Sequence, residues 1–297
     1  MKPNSVSLPA LLASVILALS ACASTGASDS SSSASAARNQ DPFAAIAASP
    51  DRSATDRNND IHRKPVQTLA FIGVKPGMVA LDLSAFGGYT TELLARAVGP
   101  HGRVYAQNTP PRDANSPPQQ AAAREGAAAP SAPAAQVAGA VTPPPAAKPL
   151  TSAEILAARA NKPELRNIVL VVRKLEDPVP PEVASNGLDI ATFMFNYHDM
   201  GHWGNDRAAV NRAIFKALKP GGVYVIADHA GRPGTGISES GTLHRIEESF
   251  LIQEVQAAGF KLVDEGYFMR NPSDPRDKNT PVPAQPKDEF ILKFMKP

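Results

Sequence analysis

The sequence predicts one doubly wound α/β domain whose sheet is mostly parallel and ends in a terminal antiparallel hairpin. Three observations predict it. Residues 79–83 form a short apolar run, followed by a turn of small residues with two glycines and then by a helical pattern. Further apolar runs at 103–107, 168–172, 188–195 and 223–227 alternate with segments of helical period. The chain then closes on two strand-like runs, 261–268 and 289–294, separated by a Pro/Asp/Asn-rich loop.

Length and composition bound the reading. The 297 residues suffice for one large domain or two small ones. The formal net charge is +2 with the two signs mixed along the chain, and the absence of a basic block argues against a nucleic-acid partner. Residues 1–22 read as a targeting segment. Lys2 precedes an apolar run over 8–19, too short for a stable membrane span, and Leu19-Ser-Ala-Cys22 closes it. This box resembles the cleavage site of bacterial lipoproteins, which implies a lipid on Cys22 and a place at the periplasmic face of the bacterial cell envelope. Cys22 is the only cysteine, so the chain forms no internal disulfide. Residues 23–50, rich in Ser and Ala, are expected to be a flexible tether, and the folded domain to span 51–297.

Within that domain, residues 49–65 are dense in charge and read as a solvated cap with Arg52, Arg57, His62 and Arg63. A helix starts at Pro65, with Val66, Leu69 and Ala70 on one face, and stops at Gly73. Val79-Ala-Leu-Asp-Leu83 is the first strand and Ser84-Ala-Phe-Gly-Gly88 the turn. Leu94, Ala97 and Val98 then mark the buried face of a helix ended by Gly99-Pro100. Residues 103–107 form the second strand. The stretch 109–149, rich in Pro and Ala and lacking Leu, Ile and aromatics, reads as a disordered insertion.

Ordinary elements resume afterwards. Thr151-Ser-Ala-Glu154 is a capping box for a short helix, and Ile168-Val-Leu-Val-Val172 a β-branched strand. Residues 188–195 form a buried strand that runs into Asn196-Tyr-His-Asp-Met-Gly-His-Trp203. Val210, Ala213, Ile214, Ala217 and Leu218 share a helical face, Lys219-Pro-Gly-Gly222 breaks it, and residues 223–227 lead to Asp228-His229. A Gly/Ser-rich loop over 231–241 precedes a helix expected to start at His244. Ligands of open parallel sheets bind beyond the C-terminal strand ends, so residues 196–203 and 228–229 are the candidate site.

The strand–glycine turn–helix unit, the Leu-Lys-Pro-Gly-Gly segment and the terminal helix and hairpin resemble class I S-adenosylmethionine (SAM)-dependent methyltransferases. The nearest likeness is to exported bacterial proteins described as predicted methyltransferases. The resemblance runs from about residue 51 to the end, apart from the insertion, and implies a Rossmann-like sheet and SAM as cofactor. It places Asp82, Ser84, Gly87 and Gly88 at the glycine motif, with Ser84 and Phe86 standing where the family has its first two glycines. It places Gln107 and Asn108 at the ribose, where the family has a carboxylate. Lys174 stands at the adenine-side acid, with Glu176 and Asp177 as nearby substitutes, and Asn196 lies at the strand end by the cofactor.

For methyl transfer the protein must bind SAM, align an acceptor and in some cases remove its proton; His198 and Asp199 are the candidate catalytic bases. A rival reading gathers His198, His202, His229 and Asp228 around a metal. A His-x3-His pair alone is common by chance and Gly201 interrupts a helical placement, so no metal is assigned. The expected function is therefore a SAM-dependent methyltransferase acting on an unidentified small molecule, lipid-anchored in the envelope. The alternatives are a binding lipoprotein that kept this fold but lost catalysis, and a His/Asp metal-dependent enzyme.

Overall fold

The computed structural model describes residues 41–110, 150–281 and 285–297. Cys22, the expected signal peptide and all of the expected insertion except Thr109 and Pro110 lie outside them. Seven strands among the described residues form one sheet: β1 (Val79–Leu83), β2 (Arg103–Asn108), β3 (Ile168–Val172), β4 (Leu188–Met194), β5 (Leu218–His229), β6 (Lys261–Gly266) and β7 (Glu289–Met295). Their order is β3-β2-β1-β4-β5-β7-β6. β1 to β5 run parallel, and β7 lies antiparallel between β5 and β6. This is a mixed α/β, Rossmann-like sheet whose strand order reverses between β1 and β4, where Leu83 stands beside Phe193.

Strand pleating sends alternate side chains to opposite faces, and both faces are covered. Leu81, Leu83 and Phe193 face one layer; Ala80, Val104 and Ile190 face the other. The first layer is completed by Val210 and Ile214 of α7 (Arg207–Ala217) and by Leu251 and Val255 of α9 (Glu248–Ala257). The second is completed by helices introduced on the N-terminal side of the chain: α3 (Pro65–Ile72) through Leu69 and Ile72, and α4 (Tyr89–Val98) through Leu93, Leu94 and Val98. Leu156 of α5 (Ser152–Ala160) joins them. Each such fully buried side chain contributes about 1.5–3 kcal/mol relative to exposure. No helix among the described residues is long and apolar enough to cross a membrane.

Several expectations need correction. The end of the predicted tether is ordered: Pro42–Ala47 forms helix α1, capped by the Asp41 carboxylate, and its Phe43 and Ile46 pack on the core. These two apolar side chains lie one turn apart, and the Arg52 guanidinium donates to the Ala47 carbonyl at 2.6 Å, which also holds the helix end. In α3 the buried face is Pro65, Thr68, Leu69 and Ile72, and Ala70 is exposed. The last long helix begins at Glu248 rather than His244. His244 instead ends a four-residue helix, α8 (Ser240–Leu243), with a left-handed φ of 51°. The Thr151 capping box is present as expected, with both reciprocal hydrogen bonds.

Candidate functional site

The turn between β1 and α4 keeps the backbone of a glycine loop without most of its glycines. Ser84, Phe86 and Gly88 all have left-handed φ, at 47°, 45° and 81°. For a residue with a Cβ this conformation costs roughly 1–2 kcal/mol, so something must hold it. The end of β2 does. The Gln107 Oε1 accepts the Ser84 N–H at 3.0 Å, the Gln107 backbone carbonyl accepts the Ala85 N–H at 2.8 Å, and the Asn108 Oδ1 accepts the Phe86 N–H at 2.8 Å. Gln107 also donates to the Arg173 carbonyl and is completely buried, and Asn108 donates back to the Phe86 carbonyl. Both amides, expected at a ribose, close the turn instead.

Asp82 is likewise turned inward. Its carboxylate accepts the hydroxyls of Thr91 at 2.6 Å and Thr192 at 2.7 Å, tying the start of α4 to β4. Burial pushes its carboxyl up to about 6 against those donors. Gly88 is required twice over, by its φ and because a Cβ there would lie 2.5 Å from Leu156 Cδ1. The neighbouring Gly87 has its carbonyl bonded by Arg159 Nε at 2.6 Å.

Arg159 also pairs with Asp56 through both terminal nitrogens, and with Glu92. Asp56 lies on α2 (Ala54–Arg63), so this guanidinium joins the N-terminal cap, the glycine turn, α4 and α5. Of the cap's other arginines, Arg52 is buried and pairs with Asp60, whereas Arg57 is exposed and donates to the carbonyls of Ser49, Pro50 and Arg52. Arg63 differs. Its guanidinium stacks 3.7 Å from the centre of the Phe195 ring and lines a small crevice with Pro65, Tyr89, Thr90 and Phe195 at the N-terminus of α4. Glu176, the expected substitute near the adenine, accepts from the Asn205 side chain at 2.7 Å and the Asp206 N–H at 3.3 Å.

At the ends of β4 and β5 the predicted polar cluster is assembled. His198 is buried between two carboxylates. Its Nδ1–H donates to Asp228 at 2.6 Å, its backbone N–H to the other Asp228 oxygen at 2.8 Å, and its Nε2 lies 3.2 Å from Asp199. Burial opposes the charge, but Asp228 and then Asp199 outweigh it and push the imidazole up to about 10. Asp199 is held below the usual carboxylate range despite its burial, chiefly by His198. An imidazolium donating on both nitrogens has no lone pair for an acceptor proton. The candidate base His198 is thus a clamp in this state, and Asp199 is the group with oxygens turned to the cluster. Asn196 donates to Asp199 at 3.2 Å.

The histidines sort differently from the expected set. His244 Nδ1 lies 3.3 Å from Asp199 and His202 Nδ1 3.9 Å from it, whereas His229 turns to Glu289 at 3.1 Å. Ser240 donates to the His198 carbonyl at 2.6 Å and accepts the His202 backbone N–H at 3.0 Å, fixing α8 against α6 (Met200–Trp203). The sequence pattern places His244 at a helix start; it stands instead at a left-handed bend, and nearby Glu247 accepts the Gly236 N–H. No local pattern announces a left-handed histidine. Arg159 had no sequence signature either, because its partners Asp56 and Glu92 lie 103 and 67 residues away.

No protein-family model matches the sequence, and no curated protein matches it. Among solved structures, a methyltransferase candidate from Haloferax volcanii, in complex with the Trm112 methyltransferase activator, superposes with a TM-score of 0.50 at 15% identity, covering 87% of this chain and 99% of its own. A SAM-dependent methyltransferase from Aquifex aeolicus gives 0.49 at 16% identity, covering 83% of this chain and all of its own. A possible exported protein from Bordetella parapertussis gives 0.45 at 14%, covering 82% of this chain and 67% of its own. At these identities the likeness is one of fold.

Proposed function

We propose that the protein is a SAM-dependent methyltransferase acting on a small molecule, held at the periplasmic face of the cell envelope by a lipid on Cys22. The observation that carries this reading is the turn at the strand-order switch point: left-handed residues at 84, 86 and 88, next to the polar end of β4. The fit to SAM is uneven across the site. The α4 N-terminus and the Arg63 crevice offer donors and positive potential suited to the carboxylate of the amino-acid moiety. Asn108 offers the ribose nothing until it leaves the Phe86 peptide.

When bound, SAM would supply a sulfonium-activated methyl group as the electrophile. The chain's own part is positioning. Asp82 braces the N-terminus of α4 against β4, Phe195 and Arg63 wall the site, and Asp199 stands ready to accept an acceptor proton, oriented by Asn196 and His198.

A second reading, a binding lipoprotein without catalysis, is favoured by one observation: the N–H groups of Ser84, Ala85 and Phe86 are all satisfied within the protein. Incubation of the full-length protein with methyl-labelled SAM and mixed small-molecule acceptors separates the two. Label in a small-molecule product supports the methyltransferase. Saturable SAM binding with no transfer to any acceptor supports the binding protein.

A further inference from the structure

We propose that His198, Asp199 and His244 form a binding site for one divalent transition-metal ion of the zinc type. Each offers one ligand atom, and the three atoms lie within 4.8 Å of one another. His198 Nε2 and His244 Nδ1 stand 3.2 and 3.3 Å from the same Asp199 oxygen. Ligands held tetrahedrally at bonds of about 2.0–2.1 Å are themselves about 3.3 Å apart, so the two distances from Asp199 already match a small ion. Two imidazoles and one carboxylate suit zinc and its transition-metal neighbours better than calcium or magnesium, which prefer all-oxygen shells.

The groups behind the ligands are arranged as they are behind a metal. Asp228 takes both the Nδ1–H and the backbone N–H of His198, which fixes the ring and presents Nε2 to the cluster; a bound ion would replace the Nε2 proton that faces Asp199, releasing it to solvent. Asn196 orients the second oxygen of Asp199. Ser240 holds the His198 carbonyl, so the strand end cannot rotate freely. His244 is brought in by a left-handed backbone, φ 51°, that a side chain with a Cβ adopts only at a cost.

The site is also open on one side. The His198 and Asp199 side chains are 3% and 2% exposed, whereas that of His244 is 17% exposed. Three protein ligands with one accessible direction is the pattern of a metal that keeps a position for water or substrate. This differs from the set expected from sequence: Asp228 stands behind His198 rather than at the ion, and His244 replaces His229. The proposal needs no SAM and is tested without it.

The test uses the full-length protein, stripped with chelator, titrated with Zn²⁺ by calorimetry and with Co²⁺ by visible absorption. The expected result is one ion per chain with a Kd on the order of micromolar or tighter, and the intense visible bands of four-coordinate Co²⁺. His244→Ala, at a partly exposed position, should weaken Zn²⁺ by roughly 100-fold or more while circular dichroism stays unchanged. Asp228→Asn, which removes the charge behind His198, should weaken it by about 10–100-fold. His101→Ala, in an exposed turn remote in sequence from the cluster, should leave it unaltered. No Zn²⁺ binding by the folded protein overturns the proposal, and so does binding that survives His244→Ala undiminished.

Discussion

Asn108 holds the Phe86 peptide at both ends: its Oδ1 accepts the Phe86 N–H at 2.8 Å, and its Nδ2 donates to the Phe86 carbonyl at 3.1 Å. The clasp sustains a φ of 45° in a residue with a large side chain. Asn108→Ala should therefore cost about 1–2 kcal/mol, read as a lowered denaturant midpoint. With Phe86→Gly the turn no longer needs holding, so the double variant should lose clearly less than the two single losses summed. Strict additivity would mean that the clasp does not carry the strain.

Asp82 sets a pH dependence of stability. Its carboxyl is raised from an ordinary 3.8 to about 6, first by burial. Between those values the folded state holds a proton that the unfolded chain releases. Stability should thus fall as pH rises through this window, by at most about 3 kcal/mol, and level off above it. Asp82→Asn should flatten that slope, and carboxyl carbon NMR of the parent protein should show a midpoint near 6.

His198 works in the same sense at higher pH. Its pKa is raised to about 10 by Asp228 and Asp199 against the cost of burial. Its contribution is fully present below the ordinary 6.5 and is lost as pH rises through about 10. In chelator-treated protein, unfolding free energy should decline over that range, and Asp228→Asn should remove most of the decline.

Arg159 is the test of how the N-terminal cap is held. Asp56 and Glu92 are 2% and 1% exposed, and Arg159 pairs with both while bonding the Gly87 carbonyl. Removing one partner of a buried charge set leaves the others uncompensated, so Arg159→Ala should cost about 3–5 kcal/mol in urea unfolding. Arg159→Lys should recover only part of this, because an ammonium cannot serve Asp56 in bidentate fashion and reach Gly87 as well.

The strands, the glycine turn and the Asn196–Trp203 strand end were legible in the sequence because apolar period and turn residues are local signals. The placement of the polar groups was not. Gln107 and Asn108 sit at the ligand position of β2, yet the same alternation that put them there lets their amides reach a turn 22–23 residues earlier. His198 and Asp199 were found by their strand end. His244 was placed by a left-handed bend that no propensity marks, and Arg159 by carboxylates distant in the chain. Phe43 and Ile46 dock a segment whose Ser/Ala-rich neighbourhood reads as tether.

Whether the turn between β1 and α4 receives SAM is read by calorimetry of SAM and S-adenosylhomocysteine with the full-length protein. Binding of both ligands is expected, with a Kd on the order of micromolar. That binding should be lost on replacing Gly88 by Val, in protein whose circular dichroism shows the fold intact. A folded parent protein that binds neither ligand would contradict that expectation.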